Sequence, residues 1–145
     1  ALRNILRGVE ARAEGQPEIL RALADYLLSQ GLEKEALSVY EKVLAKSPRD
    51  PWALNNLAWL LLTASDPSLR NPGKALELSR KAARLKPSAA ILDTLAEAYY
   101  QNGDGDRACD LARKALSRAR EEKIRGLDYY MKRKNMFCRH ASASS

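Results

Sequence analysis

The segment Asn102-Gly103-Asp104-Gly105-Asp106 alternates oxygen-bearing side chains with glycine, which is how a calcium loop begins. Such a loop needs glycine at its sixth position and a bidentate glutamate at its twelfth, and those places hold Arg107 and Arg113. Turn and N-cap chemistry is the reading that survives. Cys109 and Cys138 form no Cys-x-x-Cys pair and His140 is the one histidine, so a zinc centre would lack most of its ligands. Whether the two thiols bridge depends on a distance that residue order does not supply. No Ser-His-Asp set, glycine-rich phosphate loop or strand pattern is present to support catalysis. The expectation is a protein that is not an enzyme and takes no cofactor or metal.

What chemistry remains is charge. The chain carries 25 Lys and Arg against 18 Asp and Glu, and the excess is concentrated near the end. Residues 1–50 hold eight of each sign, whereas 111–140 hold ten cations against Glu121, Glu122 and Asp128. Arg113, Lys114, Arg118, Arg120, Lys132, Arg133 and Lys134, with Tyr129 and Tyr130 for stacking, could bind a nucleic acid or another anionic surface. The plainer reading is a solvated cationic helix face that complements helix dipoles, so nucleic acid is the less favoured partner. Salt dependence separates the two, because phosphate binding weakens steeply as ions are added.

The elements that must carry these groups are helices. In 145 residues, 46% are apolar and Gly plus Pro number only 13, which excludes disordered, collagen-like and disulfide-scaffold classes. The longest apolar run, Leu57 to Leu62, falls far short of the ~18 residues of a membrane span. A pattern then repeats. Leu20-x2-Leu23-Ala24-x2-Leu27 precedes Ala36-x3-Tyr40 and Pro48. It returns as Leu54-x2-Leu57-Ala58-x2-Leu61 with Ala75-x3-Ser79 and Pro87, and as Leu92-x2-Leu95-Ala96-x2-Tyr99 with Ala108-x3-Ala112. Apolar residues three, four and seven apart share one helical face, and the alanines admit a second helix at close range. Gln30-Gly31 and Asn102-Gly103-Asp104 supply turns, Pro48 and Pro87 supply stops, and Asp50-Pro51 and Asn71-Pro72 supply starts.

This pattern resembles the tetratricopeptide repeat family over residues 17 to 122, with leucine where the motif has its Trp and alanine where it has its Gly. The resemblance implies an all-α fold, a right-handed α-solenoid of three helix-turn-helix repeats flanked by an N-terminal helix and a C-terminal capping helix. The repeats are expected at 17–50, 51–88 and 89–122. The second carries about five extra residues between its helices, from Thr63 to Gly73, which should protrude from one edge. Residues 1–16, with the stripe Leu2, Ile5, Leu6 and Val9, look like the second helix of a truncated repeat. Residues 123–135, with Ile124, Leu127 and Met131, look like the cap that hides the last apolar face, and 136–145 like a flexible tail. The opening Ala-Leu-Arg-Asn has neither an initiator Met nor a signal-peptide layout, so the chain is expected to be a domain of a longer protein.

In this family the first helix of each repeat lines a concave groove that commonly binds a peptide segment of a partner protein, which implies a non-catalytic interaction module. Helical spacing nominates the wall residues: Arg21, Asp25 and Leu28, then Asn55, Trp59 and Leu62, then Asp93, Glu97 and Tyr100. Asn56 adds an amide able to donate and accept. Trp59 is the aromatic anchor candidate, and its alternative role is packing in the core. The carboxylates Asp25, Asp93 and Glu97 favour a neutral or basic segment with an apolar anchor. Self-association through exposed repeat edges is a further expectation. Nothing in the residues separates the cytoplasm from an extracytoplasmic compartment.

Overall fold

The computed structural model describes residues 2–139. Among them are eight α-helices and no strand: α1 (Leu2–Ala13), α2 (Pro17–Ser29), α3 (Glu33–Lys46), α4 (Pro51–Thr63), α5 (Pro72–Leu85), α6 (Ala89–Gln101), α7 (Gly105–Glu121) and α8 (Leu127–Arg139). The helix starts are fixed by short local bonds. Asp50 accepts Trp52 N at 3.0 Å and Ala53 N at 3.1 Å, while Asn71, Ser88 and Asp104 each accept one N–H from the first turn that follows. Asp104, the centre of the calcium-like segment, thus serves as an N-cap, and it also pairs with Arg107 at 2.7 Å. That backbone N–H bond, ahead of the Arg107 side chain, holds its carboxyl below the usual range.

Gly31 and Gly103 close α2 and α6 at φ of 77° and 85°, with Leu32 N donating to Leu27 O and Asp104 N to Tyr99 O. α7 has no proline behind it and runs 17 residues. It closes in the same way on Lys123 at φ 54°, a left-handed position held by a residue with a Cβ.

The helices pack as hairpins α2/α3, α4/α5 and α6/α7, each resting on the next. Ala24, Ala58 and Ala96 from the first helices and Ala36, Ala75 and Ala108 from the second are completely buried, as close helix approach requires. Leu57 and Leu95 are buried and Leu23 packs half-buried against the same core. α4 lies between two hairpins and buries eight of its residues, so its apolar surface spreads well beyond a single stripe.

The insertion after α4 is a strap pinned by hydrogen bonds. The Glu33 carboxylate accepts Ser65 N at 2.8 Å and Asp66 N at 3.3 Å, Arg70 Nε donates to Ala64 O at 2.7 Å, and Asn71 N donates to Leu61 O. Leu69 packs on the core.

α8 begins at Leu127, just after Gly126 turns the chain at φ 79°. It continues through residues 136–139, which the sequence pattern assigns to the tail, because Phe137 supplies a fully buried anchor there. His140 and the rest of the expected tail lie outside the described residues. α8 packs on α7 and α6 as α6 packs on α5 and α4, in the place a fourth repeat's first helix would take.

Candidate functional site

α2, α4 and α6 present one face together, and α8 bounds its far side. The groove between them has a volume of about 530 Å³. Its walls are Asp25, Leu28 and Ser29 of α2, Tyr40 of α3, Asn55, Asn56 and Trp59 of α4, Ala90, Asp93 and Thr94 of α6, and Tyr129 and Tyr130 of α8.

On the α2 side a chain of hydrogen bonds fixes the polar wall. Tyr40, otherwise buried, donates its hydroxyl to Asp25 Oδ1, and Asn56 Nδ2 donates to the same oxygen at 3.0 Å. Asn55 Nδ2 donates to Asn56 Oδ1 at 3.3 Å. Burial first, and the neighbouring Asp25 carboxylate second, hold the Tyr40 phenol well above its ordinary value, so it remains a donor. Asn55 is only 7% exposed, yet among the described residues no group donates to its Oδ1.

On the α6 side the wall is already engaged. Arg133 of α8 donates from Nε to Asp93 Oδ1 at 2.8 Å and from Nη2 to Glu97 Oε2 at 3.0 Å. Tyr129 donates its hydroxyl to Asp93 Oδ2 at 2.6 Å. Three rings surround the guanidinium: Cζ lies 4.7 Å from the Phe137 centroid, 5.6 Å from Trp59 and 5.8 Å from Tyr129. Burial opposes the Arg133 charge, but Asp93 and then Glu97 outweigh it and push the guanidinium pKa up. Burial and then Asp93 raise the Tyr129 phenol. Cys109 of α7 and Cys138 of α8 are joined as a disulfide, which settles a pairing the residue order left open.

Of the nominated residues, Asp25, Leu28, Asn55, Asn56, Trp59 and Asp93 line this groove together. The other four have different placements. Leu62 is 3% exposed and belongs to the core, a consequence of α4 being packed on both sides. Arg21 pairs with Asp50 at 3.1 Å and so braces the α4 cap. Glu97 pairs with Arg133 of α8, and Tyr100, still exposed, has its ring centroid 5.0 Å from that of Phe137. Trp59 is half-buried at the groove wall.

Helical spacing does not nominate Tyr40 or Arg133 for the groove. Tyr40 occupies a repeat position that holds Ser79 and Ala112 in the other copies, and a large polar ring among small residues is the available signal. Among the cations considered for phosphate binding, Arg133 is turned inward, while Arg118 and Arg113 lie near Glu121 and Asp110 at 3.5 and 3.9 Å. Tyr130 is buried.

A family model described as Tetratricopeptide repeat matches residues 17–60, and a second with the same description matches 88–122. The unmatched stretch between them contains the strap. Among curated proteins, no relative matches. No helix among the described residues is long and apolar enough to cross a membrane. Repeats of this kind generally mediate protein–protein interactions, typically as non-catalytic scaffolds. With its paired helices stacked in register and the two matches together covering more than half of its length, the chain belongs to the tetratricopeptide repeat family.

Proposed function

We propose that the protein binds a segment of a partner protein in the groove between α2, α4, α6 and α8, and that it performs no chemistry on what it binds. The observation that carries this reading is Trp59, a half-buried aromatic at the wall of a 530 Å³ groove whose neighbouring polar groups are held in place by hydrogen bonds. Aromatic side chains in such positions dominate binding energies because they bury a large rigid area at low entropic cost. The cationic alternative has less support, since Arg133 and Tyr130 are taken up by internal contacts.

The test is selection of 12-residue peptides from a random library on the purified chain. Selected peptides are expected to lose at least tenfold in affinity to Trp59→Ala while its melting temperature stays close to that of the parent. A large fall in melting temperature would assign Trp59 to the core instead.

A second reading, self-association, is favoured by α1, where Leu2, Ile5 and Val9 are exposed along one stripe, and by the exposed Ile19 of α2. Sedimentation equilibrium checks it. Leu2→Glu with Ile5→Glu should abolish any dimer, and a mass equal to one chain at high concentration removes the reading.

A further inference from the structure

The chain clamps one of its own arginines with two repeat positions. Asp93 is the fifth residue of α6 and Glu97 the ninth, and together they hold Arg133 with a ring of Trp59 alongside. Asn55 is the fifth residue of α4, Trp59 the ninth, and Asp25 the ninth of α2. The same positions therefore recur on the other flank of Trp59, facing the groove without an arginine from this chain.

We propose that this α2-side half of the groove is a subsite for a single arginine side chain of the partner segment. The guanidinium donates to Asp25 Oδ2 and, as the Asn55 amide turns toward it, to Asn55 Oδ1, while its flat face lies toward Trp59. The inference rests on the groove-binding reading above and specifies what that groove recognises.

Three observations converge on it. Asp25 Oδ1 already accepts from Tyr40 and Asn56, which fixes the carboxylate, whereas among the described residues nothing donates to its Oδ2. No ion pair among the described residues involves Asp25, because the nearest arginine along its helix, Arg21, is paired with Asp50. Asn55, more than nine-tenths buried, is a lining residue of the same groove, and its Oδ1 lacks a donor. An acceptor kept out of water without a partner is costly, and a ligand N–H removes the cost. A guanidinium presents a planar fork of five N–H donors with an apolar-tolerant face, which suits two separated acceptors beside an indole better than a compact ammonium does. The chain's net charge of +7 opposes a polybasic tract. One arginine within an otherwise neutral, apolar segment matches both the local acidity and the global charge.

The experiment uses the selected peptides and their citrulline versions, in which the arginine becomes a neutral group of the same shape. On the parent chain, arginine to citrulline is expected to weaken Kd about tenfold, as loss of a charge-assisted bond does. On Asp25→Asn the two versions should bind alike, because the coupling has been removed. Peptides that depend on Trp59 but bind equally well as citrulline versions would overturn the arginine subsite and leave groove binding standing. If no selected peptide is sensitive to Trp59→Ala, the groove reading falls, and the subsite with it. The citrulline comparison on the parent chain needs no variant to fold.

Discussion

The two halves of the groove use their carboxylates to opposite ends. On the α6 side Asp93 is 4% exposed, its oxygens taken by Arg133 and Tyr129, and the charge has become part of the fold. On the α2 side Asp25 is exposed and fixed only by neutral donors, so its charge remains available. The difference lies in α8. Where a terminal helix covers the groove wall, carboxylates serve stability; where it does not reach, they can serve recognition. α1 at the opposite end shows that an amphipathic stripe alone does not give such closure. It buries only Ala13 and leaves Leu2 and Ile5 in water, whereas α8 brings Tyr130, Phe137, an ion-pair network and a disulfide.

The most disruptive way to break this comparison is to remove the internal arginine. Arg133→Ala leaves Asp93 buried without its cation, and loss of one partner of a buried pair costs about 3–5 kcal/mol. The side chains concerned are 15% and 6% exposed, so solvent offers little compensation. Urea unfolding should show the loss. A change below about 1 kcal/mol would mean that water reaches Asp93 and that the α6 half is as open as the α2 half.

Reducing the Cys109–Cys138 bond releases a covalent tie across 29 residues. In the chain-entropy view that is worth about 2–4 kcal/mol. The melting temperature of the oxidised chain should therefore fall in dithiothreitol, while Cys138→Ser should be insensitive to the reagent. Peptide affinity at the Asp25 side should persist below the lowered transition. Its loss on reduction would show that the two halves are one mechanical unit.

How much of this contrast is visible in the residues depends on the range of each contact. Asp50-Pro51, Asn71-Pro72 and Gly31 announce helix ends because their bonds close within a few positions. The row of Asp25, Trp59 and Glu97 is legible from the repeat, which carries register from one hairpin to the next. The destination of Arg133 is not, since it meets Asp93 across 40 positions and Glu97 across 36, and periodicity marks a helix without saying where it docks. Leu62 misleads for a related reason. An amphipathic-stripe rule assumes one buried face, and α4 has neighbours on both sides. The extension of α8 past 135 is hidden because the polar run Lys132-Arg133-Lys134-Asn135 interrupts the apolar pattern before Phe137.

Alkaline pH separates the halves more gently. Tyr40 supports the open side and Tyr129 the closed one, and both phenols are raised above their ordinary value, by burial first and by a carboxylate second. The sign follows from proton binding. Below about pH 10 both the folded and unfolded chains keep these protons, so stability is complete. Above it the unfolded chain releases protons that the folded chain retains, and stability must decline as pH rises. Urea midpoints between pH 8 and 11 should trace that decline. Tyr40→Phe and Tyr129→Phe should each flatten part of it, and a flat profile in the parent chain would mean that both hydroxyls are solvated.

The smallest effect on stability is the sharpest discriminator. Asp25 is exposed and an asparagine oxygen can still accept from Tyr40 and Asn56, so Asp25→Asn should change unfolding free energy by no more than about 1 kcal/mol. Asn55→Leu exchanges a buried acceptor that lacks a donor for an apolar side chain of similar size, and should be neutral or stabilising by up to about 1 kcal/mol. Both should nevertheless weaken arginine-bearing peptides. Stability that holds or rises while binding falls marks groups retained for a ligand, whereas a purely structural residue loses both together. Should Asn55→Leu cost about 2 kcal/mol or more, the Asn55 amide works for the fold, through its bond to Asn56 or a donor to its oxygen, and the α2 half would be as fully occupied by internal bonds as the half beneath α8.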